Sequence, residues 1–179
     1  MEFLDLCLKR ESCRTYTGES ITSSDLHQIV EVGRLAPSAC NSQPWHFYVV
    51  SAGETLQGVK DGVKVLGTNK FTDKAGAFIV IAGAKENYTE RVGQAIYGRD
   101  FSNIDIGITV ANMALAATSL GLGTCIIGSF NEKKVKEALD ITKTEKNQIK
   151  LVLAVGVPEK GDPRKKIRKP ANEVVTFVD

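Results

Sequence analysis

Two short basic sets carry the most specific chemistry in this chain. Arg10, Ser12 and Arg14 alternate within Lys9-Arg10-Glu11-Ser12-Cys13-Arg14, and Lys166 and Arg168 alternate within Arg164-Lys165-Lys166-Ile167-Arg168-Lys169. Arginine offers planar, fixed donors that match a phosphate or the carbonyl edge of a heterocycle. Ser12 can donate to a phosphate oxygen. In an extended segment Lys166 and Arg168 point the same way, so two such sets can clamp one doubly charged phosphate. Each set also has a plain reading. Arg10 suits a helix C-terminus, where cations are favoured, and the run from Arg164 to Lys169 suits a solvated tail. Lys165 and Lys169 flank the second pair and leave its register open.

A second kind of chemistry is suggested by Leu35-Ala36-Pro37-Ser38-Ala39-Cys40-Asn41-Ser42-Gln43-Pro44-Trp45-His46-Phe47. This stretch holds two prolines, the only tryptophan and several amide and hydroxyl groups. A solvated linker has no need of Trp45, and a core segment has none of Asn41, Ser42 and Gln43. Polar groups beside a large aromatic suit a pocket for a flat, polar-edged ligand. They suit equally a loop in which Pro44-Trp45 closes a hydrophobic layer.

The elements that must position these groups alternate between helix and strand. A short helix is expected from Glu2 to Arg10, with Phe3, Leu6 and Cys7 on one face. Thr22 or Ser23 can cap a second, from Ser24 to Leu35, with Leu26, Ile29, Val30 and Val32 inward. Trp45 to Ser51 reads as a strand burying Phe47, Val49 and Val50. Glu54 to Val65 reads as a helix weakened by Gly58 and Gly62. Ala77 to Ala84 is apolar enough for a central strand. Ile104 to Leu120 is the longest helix, apolar nearly all round and therefore buried on several sides, within one subunit or against another. Gly121 and Gly123 end it before the strand Thr124 to Ile127. Asn131 caps a helix from Glu132 to Leu139. Ile149 to Val157 and Val174 to Val178 complete the strands. The pattern between Lys85 and Phe101 is unclear and reads as a possible cover. The class is mixed α and β around one sheet.

Composition narrows the choice further. The 179 residues, 42% hydrophobic and 25% charged with net charge +2, fit one globular domain spanning residues 1–179. That charge gives no global argument for nucleic acid, and no aromatic residues interleave the Arg164–Lys169 run. No apolar run approaches membrane-spanning length, and Glu2 and Asp5 do not fit a signal peptide, so the expected location is the cytoplasm. Cys7, Cys13, Cys40 and Cys125 are scattered without a Cys-x-x-Cys pair, and His27 and His46 lie apart. No metal site is expected. The cysteines read as small buried hydrophobes, with Cys40 and Cys125 placed where a ligand could approach. There is no Gly-x-Gly-x-x-Gly after a strand and no Walker-type loop.

Four pieces in this order resemble the nitroreductase family of flavoproteins over nearly the whole chain. They are the first basic set, the Pro37-to-Trp45 loop, Leu120-Gly121-Leu122-Gly123-Thr124-Cys125-Ile126-Ile127-Gly128, and the last basic run. The resemblance implies an α+β, three-layer fold: a central, mostly antiparallel sheet flanked by helices, with a C-terminal strand extending to a partner subunit. It implies a homodimer with FMN at the subunit interface. Arg10, Ser12 and Arg14 would hold the FMN phosphate and pyrimidine edge, and Lys166 and Arg168 would complete the phosphate site. Pro37, Ser38 and Asn41 would reach the flavin of the other subunit, with Ser42 and Gln43 extending that contact. The backbone at Ile127 and Gly128 would lie near flavin N5. Ser129 stands where some relatives carry an acidic or other polar group. The implied reaction passes hydride from NAD(P)H through N5 to a nitroaromatic, quinone or similar acceptor, in two half-reactions. No catalytic acid or base is assigned, because the protein's part is positioning and electrostatics. Flavin reductase, enone reductase, reductive dehalogenase and flavin storage without turnover are the alternatives.

Overall fold

Four apolar segments pair into one sheet. They are β1 (Trp45–Val50), β2 (Ala77–Gly83), β3 (Gly123–Ile127) and β4 (Ile149–Gly156). Their spatial order is β1-β2-β4-β3, and every neighbouring pair is antiparallel. The structure is a computed structural model and describes residues 2–84, 98–141, 148–160 and 164–178. The expected cover at residues 85–101 falls mostly outside them.

β2 is buried along its whole length, as a central strand covered on both faces must be. Its side chains alternate between two cores. Ala77, Ile79 and Ile81 join Leu26, Ile29, Ile106, Val110 and Met113 on one face. Phe78 and Val80 join Val59, Val63 and Val135 on the other. The first core lies under α2 (Ser23–Arg34) and α4 (Phe101–Ser119), the second under α3 (Gly53–Val63) and α5 (Glu132–Ala138). This is the expected three-layer α+β arrangement. Among the described residues the remaining α-helices are α1 (Phe3–Lys9) and the single turn α6 (Ala171–Val174). Among the described residues no helix is long and apolar enough to cross a membrane.

Local chemistry sets the boundaries. Thr22 caps α2, its hydroxyl accepting from the Asp25 N–H at 3.1 Å, and Asn131 caps α5 through the Lys134 N–H at 3.1 Å. α4 begins earlier than the apolar pattern suggests, because the Asp100 carboxylate caps it by accepting from the Asn103 N–H at 3.0 Å. The glycines in α3 have a packing reason. A Cβ on Gly58 would lie 2.7 Å from Ala138 Cβ, and one on Gly62 would lie 2.6 Å from Val135 Cγ2. Their absence lets α3 and α5 approach closely enough to offset a weak helix propensity.

Three expectations need correction. Val49 is 43% exposed, because β1 is an edge strand that turns Val50 inward and Val49 outward. Phe3 in α1 is exposed, while Leu6 and Cys7 are half-buried. The run Val174–Val178 forms no strand here: Val174 ends α6, and residues 175–178 pair with no described strand. Apolar β-branched residues favour a paired, half-buried surface but do not supply the pairing edge.

Candidate anion-binding site

The first basic set sits on an extended segment laid along the sheet. Ser12 bridges Thr124 in parallel, and the Cys13 N–H donates to the Thr124 carbonyl at 2.8 Å. The Thr17 N–H donates to Val157 O at 3.0 Å, and the Glu159 N–H donates to Thr15 O at 3.1 Å. Two anchors point inward. Cys13 is buried against Gly123, and Tyr16 is buried over Gly156, where a Cβ would come within 2.5 Å of its ring. With Cys13 turned in, Ser12 and Arg14 turn out.

The two basic sets meet. Arg10, Ser12, Arg14, Lys166 and Arg168 line one cleft of about 380 Å³, together with Glu11, Arg164, Lys165 and Ile167. Among the described residues six cations thus face one carboxylate. Lys166 Nζ is buried there and has no hydrogen-bond partner among the described residues. A buried ammonium without a partner is costly, and an anion in the cleft would supply one. Arg168 donates to the Ile167 carbonyl at 2.7 Å.

Two residues of this cleft escaped the spacing argument. The Arg164 N–H donates to Glu11 Oε2 at 3.2 Å, its Nε lies 3.5 Å from the same oxygen, and its Nη2 donates to the Ser12 carbonyl. Arg164 shares the alternation of Lys166 and Arg168, which was the available signal. Glu11 carried none, as a lone carboxylate among cations.

The Pro37–Gln43 loop is not among the residues lining the cleft of its own chain. Cys40, Asn41 and Gln43 take left-handed backbone angles, with φ of 52°, 50° and 48°. Outside glycine that conformation costs about 1–2 kcal/mol per residue, least for Asn. Hydrogen bonds hold the loop in place. Ser38 Oγ accepts from the Gln43 N–H at 2.9 Å, and Gln43 Nε2 donates to Asn41 Oδ1 at 3.2 Å. Asn41 is left with its NH2 end to donate elsewhere.

Asp105 secures the loop from below. It is 4% exposed on α4, and its carboxylate accepts from the Ala39 N–H at 3.0 Å. An acid between Ile104 and Ile106 was the sequence signal for it. Asp105→Ala strands the Ala39 N–H and should cost about 1–3 kcal/mol, read as a lower melting temperature. Asp105→Asn keeps an acceptor and should lose less. Equal melting temperatures for the wild type and Asp105→Ala would remove the carboxylate from this role.

Ile127 buries its side chain in the second core, so only its backbone is available at the surface. Gly128 is exposed, and a Cβ there would meet only Leu151 Cδ2 at 3.9 Å. The space above this turn is open. Burial pushes the thiols of Cys13 and Cys125 above their ordinary range. At Cys125 the nearby Arg14 guanidinium opposes this only in part. Neither thiol has the character of a nucleophile. Among the described residues no group of three His, Cys, Asp or Glu side chains could hold a metal ion.

An antiparallel sheet between two helical layers, with a cationic cleft beside one edge, defines a three-layer α+β protein. The chain belongs to the nitroreductase family, whose sequence profile matches residues 7–64 and 54–157. It is 26% identical to an oxygen-insensitive NADPH nitroreductase of Helicobacter pylori, covering 99% of this chain and 100% of that one. Among solved structures, a nitroreductase family protein from Clostridium novyi is 27% identical with a TM-score of 0.75, covering 89% of this chain and 86% of that one. A Bacteroides fragilis nitroreductase solved with bound FMN is 22% identical with a TM-score of 0.76 over 100% of both chains. This last likeness bears on the fold alone.

Proposed function

We propose that the chain is an FMN-dependent NAD(P)H oxidoreductase, residues 1–179 forming one FMN-binding domain. The observation that carries this reading is the buried Lys166 ammonium, which has no hydrogen-bond partner among the described residues, in the cleft it shares with Arg10, Ser12, Arg14 and Arg168. These donors suit the terminal phosphate of FMN. When bound, FMN supplies a ring whose N5 takes hydride from NAD(P)H and returns it to a nitroaromatic, quinone or similar acceptor. The chain's own residues bind and orient. Arg14, on the sheet side of the cleft, places positive charge where electron density accumulates on reduction. The outward NH2 of Asn41, with Pro37, Ser38 and Gln43, is suited to the polar edge of a ring held by a partner subunit. The backbone of Ile127 and the bare Gly128 leave room for a ring to lie close.

A homodimer is supported by apolar surface that a lone chain leaves uncovered. Phe3, Leu4 and Leu8 on α1, Ile104 and Ile108 on α4, and Val175, Phe177 and Val178 in the tail are all exposed. Exposed apolar side chains of this kind fit an interface, and the tail is suited to add as a strand to a partner's sheet.

The test is a visible absorption spectrum of the purified protein before and after anaerobic NADH or NADPH. The expected protein is yellow, releases FMN on denaturation and bleaches with the nucleotide. A colourless protein that does not take up added FMN sinks the reading. One that binds FMN without bleaching is a carrier rather than an enzyme.

A further inference from the structure

We infer that Glu11 and Arg164 form a clasp that positions the Lys166–Arg168 segment over the cleft, and that this clasp sets how strongly the protein prefers a phosphorylated flavin. The inference rests on the FMN reading and deepens it. Among the described residues Glu11 is the one carboxylate in a cleft of six cations. Judged by charge alone, it opposes any phosphate bound there.

Its geometry gives it another task. A single oxygen, Glu11 Oε2, faces both the backbone N–H of Arg164 at 3.2 Å and its Nε at 3.5 Å. The same guanidinium donates from Nη2 to the carbonyl of Ser12. Main chain and side chain of one residue are thus tied to two successive residues of the first basic segment. That segment is itself fixed to the sheet through Thr124. The side chains of Glu11 and Arg164 are 30% and 58% exposed, so the ion pair alone contributes little to stability. What the three links fix is direction: chain leaving Arg164 this way carries Lys166, two residues on, into the cleft with its ammonium buried. Described residues supply no helix or strand between 164 and 170 to do this instead.

The experiment titrates apoprotein with FMN and with riboflavin, following quenching of flavin fluorescence, for the wild type, Glu11→Gln and Arg164→Lys. The wild type should prefer FMN. Glu11→Gln makes the cleft more positive, so a purely electrostatic role predicts tighter FMN binding. The clasp predicts the opposite, a loss of roughly tenfold for FMN with riboflavin affinity unchanged. Arg164→Lys keeps the charge but not the fork of donors, and should show the same selective loss. FMN binding by Glu11→Gln that equals or exceeds wild type overturns the clasp. So does an equal loss of FMN and riboflavin, which marks general damage. A wild type without preference for FMN overturns the phosphate reading itself, and the clasp falls with it.

Discussion

Replacing Lys166 with methionine should weaken FMN binding by roughly 100-fold while making the FMN-free protein more stable. The two effects have one cause. Lys166 Nζ is buried without a hydrogen-bond partner among the described residues, in a cleft it lines with Arg10, Arg14, Arg164 and Arg168. Without an anion it carries both the desolvation of a charge and the repulsion of like charges. Methionine fills similar space with neither cost, so the apoprotein should gain about 1–3 kcal/mol. With FMN present, the variant loses a charge-assisted hydrogen bond to the phosphate. The extra stability that saturating FMN confers, read from melting curves of apoprotein and FMN-saturated protein, should therefore fall by about 2.7 kcal/mol on substitution, and riboflavin affinity should barely change. Parallel shifts of the two curves would mean that Lys166 is an ordinary structural side chain.

The second large effect belongs to the core. Phe78→Ala should destabilise the protein by about 3–5 kcal/mol. Phe78 is fully buried on the central strand β2, in the core that also holds Val59, Val63, Val135, Cys13 and Tyr16. A cavity there lies between two helices already drawn close by Gly58 and Gly62, with little freedom to collapse further. The damage should also reach the cleft, since Cys13 and Tyr16 hold the segment that presents Ser12 and Arg14. Excess ligand offsets part of the loss: FMN at 100 times its dissociation constant should restore about 2.7 kcal/mol. The check is denaturant unfolding with and without FMN. A loss below about 1 kcal/mol would show that the core repacks around the missing ring.

Much of this architecture was legible in the residues. Strands with dense β-branched runs, Ala77–Gly83 and Ile149–Gly156, stood out because burial on both faces demands unbroken apolar sequence. Thr22 and Asn131 announced their helices because capping is local chemistry. The misread residues depend on neighbours far along the chain. Val49 looks like Val50 until the sheet order makes β1 an edge. The tail from 175 looks like a strand, yet residues 175–178 pair with no described strand of their own chain. In the cleft, alternation of 10, 12 and 14 and of 166 and 168 pointed to facing side chains, and both sets do line one cavity. Glu11 and Asp105 were missed for one reason. Each acts by accepting from a backbone N–H contributed by a distant segment; local spacing does not name such a partner, although the acid between two isoleucines marked Asp105 as a residue needing one.

The cleft draws its two halves from residues 10–14 and 164–168, with every strand of the sheet encoded between them. Glu11 and Arg164 stand 153 positions apart in the chain, so the cleft exists only while the sheet between them is folded. A ligand that needs both halves would therefore bind the native state and not the unfolded chain, and would protect the whole sheet, distant strands included, against unfolding.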